Sequence, residues 1–128
     1  MMERLVQYRM NRAFEVLEDA KILAHAKRWK SCVNRLYYSC FYAATALLAK
    51  HDMSSSKHAG VLSLFNLHFV KSFKISKEVA EIFNDLFDNR QESDYTDFAI
   101  FTEEQVVPQI GKTEAFIIAI RTLLSQAS

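Results

Sequence analysis

The stretch SCVNRLYYSCFYAATALLAK, residues 31–50, decides the fold. Its residues 36–49 carry no charge, and the run is bounded by Arg35 and Lys50. A run of this length without glycine or proline is too long for a strand and reads as helix. It is too short for a membrane span, which needs about 18 apolar residues. A helix that is apolar nearly all round must be covered on several sides by neighbouring elements. Residues 31–50 are therefore expected to form a central, buried helix.

The flanking sequence supplies the cover. Over residues 3–28, Val6, Met10, Ala13, Phe14, Leu17, Ala20 and Ala24 follow a helical period, while Arg9, Arg12, Glu15, Glu18 and Asp19 occupy the other side. Arg28, Trp29 and Lys30 read as a tight joint, with Ser31 as cap of the central helix. Residues 51–56 (HDMSSS) form a break rich in capping residues, and a third helix is expected over 57–69. Ser76 caps a fourth, with the stripe Val79, Ile82, Phe83, Leu86 and Phe87. Residues 93–100 mix polar and aromatic types without a helical period. Thr102 to Gln105 is a capping box that opens a last helix of period Val106, Ile110, Phe116, Ile117, Ile120 and Leu124. Pro108 lies too deep for a helix start and is expected to kink this helix or delay its onset.

Composition agrees. The chain has 128 residues, 50% of them hydrophobic and 24% charged, which excludes intrinsic disorder. It has only two glycines and one proline, against roughly fifteen of the two together in an average chain of this length. A β-sandwich or barrel needs more turn residues than that. The expectation is one all-α domain over residues 1–128, an up-and-down antiparallel bundle of about five helices. Cys32 and Cys40 form no CxxC pair and read as small buried hydrophobes of a cytoplasmic protein. The N-terminus is charged from Glu3 onward and lacks the apolar core of a signal peptide.

The net charge of +1 conceals an asymmetry: residues 1–35 sum to +4, 36–74 to +3, 75–104 to −7, and the remainder to +1. Such a chain is no general nucleic-acid binder by charge alone, although a local basic cleft remains open to it. Helical stepping from Val79 through Phe83 and Leu86 lands on Arg90, which therefore points to the core side near the end of its helix. A guanidinium there needs a carboxylate, a phosphate or a carbonyl cluster. Asp94 at i+4, another acid nearby or a bound phosphate can satisfy it. Arg35, Tyr38, Tyr42 and Thr45 make one polar-aromatic stripe, suited to a nucleotide surface or equally to a core or dimer contact. His58 beside Lys57 can line an anion site at the start of the third helix. No histidine spacing suits a metal, and no phosphate loop or nucleophile elbow occurs, so no metal and no cofactor are expected.

Three segments carry a family resemblance: SCVNRLYYSCFYAA (31–44), SKHAGVLSLF (56–65) and NRQESDY (89–95). In this order and separation they resemble the HEPN domain family. The resemblance implies a helical bundle that dimerises, with a small nucleotidyltransferase as partner. Many members look like metal-independent ribonuclease toxins, whose signature is an Arg followed after four to six residues by His, with two copies facing across a dimer cleft. Other members look like nucleotide- or substrate-binding companions of the transferase. Arg90 matches the signature Arg. Asp94 and Tyr95 stand where the His is due, and no histidine follows Arg90.

Tyrosine, with a pKa of about 10, is a poor base at neutral pH. The expected function is therefore a binding or regulatory subunit whose Arg90 cleft takes a phosphate, nucleotide or RNA. The candidate catalytic set is Arg90, Asp94 and Tyr95. Arg35, Tyr38, Tyr42, Lys57 and His58 are the candidate nucleotide- or RNA-binding set. A toxin-like ribonuclease, with Tyr95 or His58 compensating if folding brings either to the cleft, is the alternative. A purely structural dimerisation module is the third. Tyr95 is also a candidate acceptor of a nucleotidyl group from the partner.

Overall fold

The computed structural model describes residues 2–95 and 100–126, with side chains over 3–90 and 100–126. Five α-helices appear: α1 (Met2–His25), α2 (Trp29–Lys50), α3 (His58–Phe65), α4 (Lys77–Tyr95) and α5 (Glu103–Ser125). A π-helical turn (Asn66–Val70) follows α3 without a break. No strand occurs among the described residues.

As its sequence requires, α2 packs against α1, α3, α4 and α5. Small residues let α1 approach closely: Ala13, Ala20, Ala43 and Ala44 are fully buried, and the buried Ser39 hydroxyl donates to the Ala13 carbonyl at 2.8 Å. Arg9 donates to the Thr45 carbonyl at 3.2 Å and Lys50 pairs with Glu3 at 3.8 Å, so the two helices run antiparallel. Lys21 meets Glu114 at 3.6 Å, and Arg121 sits 4.7 Å over the Phe14 ring, which makes α5 antiparallel to α1 as well. Consequently α2 and α5 point the same way. Phe65, Phe83 and Phe116 fix the far side of the core, with ring centroids 5.4–5.8 Å apart. Truncating one of these rings to alanine costs about 3–5 kcal/mol.

Two helix ends explain how the fold manages with so little glycine. After α1, Lys27 takes φ 58° while the Arg28 N–H donates to the Leu23 carbonyl at 2.9 Å and the Lys27 N–H to Ala24 at 3.0 Å. After α2, Asp52 takes φ 59°, with Met53 donating to Leu48 at 2.9 Å and Asp52 to Ala49 at 3.1 Å. Both are Schellman closures, in which a left-handed residue satisfies the last helical carbonyls. Glycine normally fills that position. Here a lysine and an aspartate do.

The first joint corrects the expected cap. The closure turns the chain so sharply that Arg28 occupies the N-cap position of α2, without a side-chain cap, and Ser31 lies inside the helix. Ser76 and Thr102 do cap their helices: Ser76 Oγ accepts from Val79 N–H at 3.2 Å, and the Thr102–Gln105 box is complete. Pro108 does not delay α5, which begins at Glu103. Its missing N–H deprives only the Glu104 carbonyl, in an exposed first turn open to solvent. The third helix covers nearly the expected span but changes from α to π at Asn66. Helix α4 continues to Tyr95 through residues without apolar period, and 96–99 lie outside the described residues.

Candidate functional site

Helices α2, α3 and α4 converge on one group of polar and aromatic side chains. Tyr37 is fully buried at its centre. The Arg90 guanidinium, from α4, lies 5.1 Å from the Tyr37 ring centroid and 5.4 Å from that of Tyr38, and donates to the Tyr38 hydroxyl at 3.2 Å. Arg35 lies 5.2 Å from the same Tyr38 ring. Its guanidinium is held by the neutral side chain of Asn34, which accepts from Nε at 3.1 Å and from Nη2 at 2.7 Å. Two guanidiniums thus share one phenol ring, and cation–π attraction to its faces offsets part of their mutual repulsion.

His58 completes the group as the first residue of α3. Its ring stacks on Phe41 at 4.3 Å and 17° and stands edge-on to Tyr38 at 5.9 Å. The Tyr37 hydroxyl is 2.8 Å from Nδ1. Burial, and then the positive charge of Arg90, hold the imidazole below its usual pKa, so it is neutral at physiological pH. Burial also pushes the Tyr37 phenol up, against the opposing pull of Arg90, so this hydroxyl keeps its proton. Among the described residues its hydrogen-bond partner is His58. The phenol therefore donates to Nδ1, which places the imidazole proton on Nε2 as an additional donor. Arg90, Arg35, Tyr38 and His58 are each half-buried. Together they form a set of donors with the chemistry of an anion site.

Gly60 lets α3 sit where it does. A Cβ at this position would run into the side chain of Ser55, whose hydroxyl accepts from the Lys57 N–H at 3.2 Å and shapes the approach to His58.

Of the residues picked from sequence, Arg90, Arg35, Tyr38 and His58 come together. Lys57 is exposed next to His58 in the chain. Tyr42 does not join the group: it faces α1, where Arg12 lies 5.4 Å from its ring. The stripe divides along the helix axis: Tyr42 stands about 6 Å beyond Tyr38 at the helical rise, where α1 covers it. The side chains of Asp94 and Tyr95 lie outside the described residues. Sequence reasoning missed Tyr37 and Phe41, the aromatic floor of the site, of which Tyr37 is fully buried and Phe41 half-buried. Their apolar context on α2 gave only a core signal, and the pairing of Tyr37 with His58 spans 21 residues.

Both cysteines are free and buried, and burial pushes the Cys32 thiol up to about 11, so neither is a nucleophile. No group of His, Cys, Asp or Glu among the described residues is arranged to hold a metal, and no helix there is long and apolar enough to cross a membrane.

The chain is similar to known proteins over most of its length. The profile of the HEPN domain matches residues 6–123. A UPF0332 protein of Thermotoga maritima is 43% identical over 122 residues, 95% of this chain and 92% of its own length. A protein of Methanocaldococcus jannaschii named as a candidate toxin is 35% identical over 114 residues, 89% of this chain and 84% of its own. A second protein of that organism, also named as a candidate toxin, is 29% identical over 116 residues, 91% of this chain and 76% of its own.

Proposed function

This chain belongs to the HEPN family, and we propose that its Arg90 site binds a phosphate group of a nucleotide or RNA, with the protein as the binding or regulatory member of a pair with a nucleotidyltransferase-like protein. The observation that carries this reading is the convergence of Arg90, Arg35, Tyr38 and His58 from three helices on one buried tyrosine wall. Every one of these groups offers a donor or a positive charge. The proposal includes a single domain over residues 1–128, a cytoplasmic location, and a homodimer in which two such clefts face each other.

The test is equilibrium binding of a 5′-labelled 12-nucleotide RNA in chelator, comparing wild type with Arg90→Ala. A hydrogen bond to a charged group contributes about 1.5–3 kcal/mol, so Arg90→Ala is expected to weaken binding by about 10- to 100-fold. The salt dependence should fall by about one phosphate contact. Equal affinity in the two proteins refutes the assignment.

A second reading, the metal-independent ribonuclease, has its own support in the relatives named as candidate toxins and in the neutral imidazole of His58 inside the cluster. Here Arg90 clamps the phosphate and His58 replaces the histidine absent after Arg90. Gel analysis of the same mixtures decides it, because RNA cleavage by the wild type that Arg90→Ala loses would make the protein an enzyme.

A further inference from the structure

A second feature lies between the π-helical turn and the start of α4. Phe73 has φ 63°, a left-handed backbone that bulky residues avoid, and its side chain is 91% exposed. The turn is not loose. Ile75 N–H donates to the Phe69 carbonyl at 2.9 Å and Phe73 N–H to Val70 at 3.0 Å, while Phe69 and Ile75 are buried in the core. The chain thus anchors both sides of Phe73 and holds its ring in solvent. The ring borders a groove of about 500 Å³ whose polar lining comes from Asn66, Lys71, Lys77, Glu81 and Asn84. That volume falls in the range of small-molecule sites.

The lining matches the parts of one ligand class. Asn66 Nδ2 donates to Asn84 Oδ1 at 3.1 Å. Whichever way the two amides are oriented, this bond leaves an amide oxygen on one residue to accept and N–H groups on the other to donate. A nucleobase edge presents the complementary donor and acceptor. An exposed aromatic ring stacks on any base. Lys71 and Lys77 carry the charge for a phosphate, and the Glu81 carboxylate can accept from ribose hydroxyls. Asn66 also opens the π-helical turn, a distortion that recurs at functional sites because it re-aims side chains. We propose that this groove is a nucleotide-binding pocket in which Phe73 stacks on the base, Asn66 and Asn84 read its edge, and Lys71 and Lys77 hold the phosphate. The pocket is separate from the Arg90 site and does not depend on it. Along α4, Lys77 and Arg90 are thirteen residues apart, about 20 Å at the helical rise.

The probe is 5′-AMP, titrated calorimetrically in chelator into wild type and into an Arg90→Ala background, so that binding at the other site is removed. AMP is expected to bind saturably in both, with inorganic phosphate at least tenfold weaker. Phe73→Gly removes the ring and relieves the left-handed strain, so it should weaken AMP at least tenfold while the melting temperature stays the same or rises. Asn84→Leu should also weaken AMP tenfold. A hexa-adenylate RNA then separates the sources: tighter binding than AMP assigns the pocket to an RNA nucleotide, weaker binding to a free one, and both support the pocket. Absence of AMP binding in the Arg90→Ala background, phosphate binding as tight as AMP, or full affinity in Phe73→Gly would each overturn the proposal. Loss of RNA binding at Arg90 alone would leave it standing.

Discussion

Replacing Tyr37 by phenylalanine tests the centre of the site with a single atom. The ring keeps its place, because the rings of Tyr38, Phe41, Phe83 and Phe87 pack around it with centroids 5.1–6.3 Å away. No cavity worth the name opens, so the 3–5 kcal/mol typical of losing a whole aromatic side chain does not apply. What goes is the 2.8 Å bond to His58. A neutral hydrogen bond contributes about 0.5–1.5 kcal/mol net, and the half-buried imidazole recovers some of it from water. The expected loss is therefore about 1 kcal/mol, a fall in melting temperature of about 4 °C for a domain of this size. Urea unfolding at pH 7.5 measures it as a lower midpoint at unchanged slope. Combining Tyr37→Phe with His58→Ala closes a double-mutant cycle, in which the pair should couple by about 1 kcal/mol. Additivity within about 0.3 kcal/mol would mean that the bond contributes nothing, and the tautomer assigned to His58 would fall with it.

Three further expectations follow from other parts of the fold. Burial and Arg90 lower the His58 pKa from its ordinary 6.5, so the folded state binds fewer protons than the unfolded chain below that pH. His58 thus contributes stability that is complete above pH 6.5 and is lost as the pH falls through the lowered value, and His58→Gln should flatten the stability profile between pH 7.5 and 5. Lys27→Gly and Asp52→Gly, each at a left-handed helix end, should raise stability in urea unfolding. The gain should approach about 1 kcal/mol for Lys27 and be smaller for Asp52, since aspartate tolerates this conformation better. Gly60→Ala drives a methyl group into Ser55 and should cost about 1–3 kcal/mol; the double variant Ser55→Gly, Gly60→Ala should recover part of it by thermal melting.

The helices were legible because their signals are local. The uncharged run of α2, the period of α1 and the box at Thr102 each lie within a few residues, and each appears in the structure. Arg90 was legible for the same reason, since stepping by three and four along α4 aims it at the core. The Schellman closures were not, because their usual marker is glycine, and Lys27 and Asp52 give no such mark. The change from α to π at Asn66 leaves no trace in hydrophobic period. The floor of the site escaped notice because Tyr37 and Phe41 read as core, and Tyr37 is core with Phe41 packed against it. Their second role appears only when α3 returns across α2 and brings His58 against them.

That return bears on whether the site binds or cleaves. A base that takes a proton from a 2′-hydroxyl through Nε2 needs the imidazole proton on Nδ1. The Tyr37 hydroxyl, 2.8 Å from Nδ1, then loses its acceptor. An unsatisfied buried donor costs about 1–3 kcal/mol, which suppresses the basic tautomer by about 5- to 150-fold. In the proposed site Tyr37 would thus restrain base catalysis by His58 and support His58 as a donor to an anion. Tyr37→Phe lifts the restraint. If the Arg90 site only binds, the variant should hold the 12-nucleotide RNA more weakly, because the donor on Nε2 is no longer fixed, and no cleavage should emerge. RNA cleavage that appears or accelerates in Tyr37→Phe, and vanishes in the double variant with His58→Ala, would instead identify His58 as the base and the buried tyrosine as the group that holds it in check.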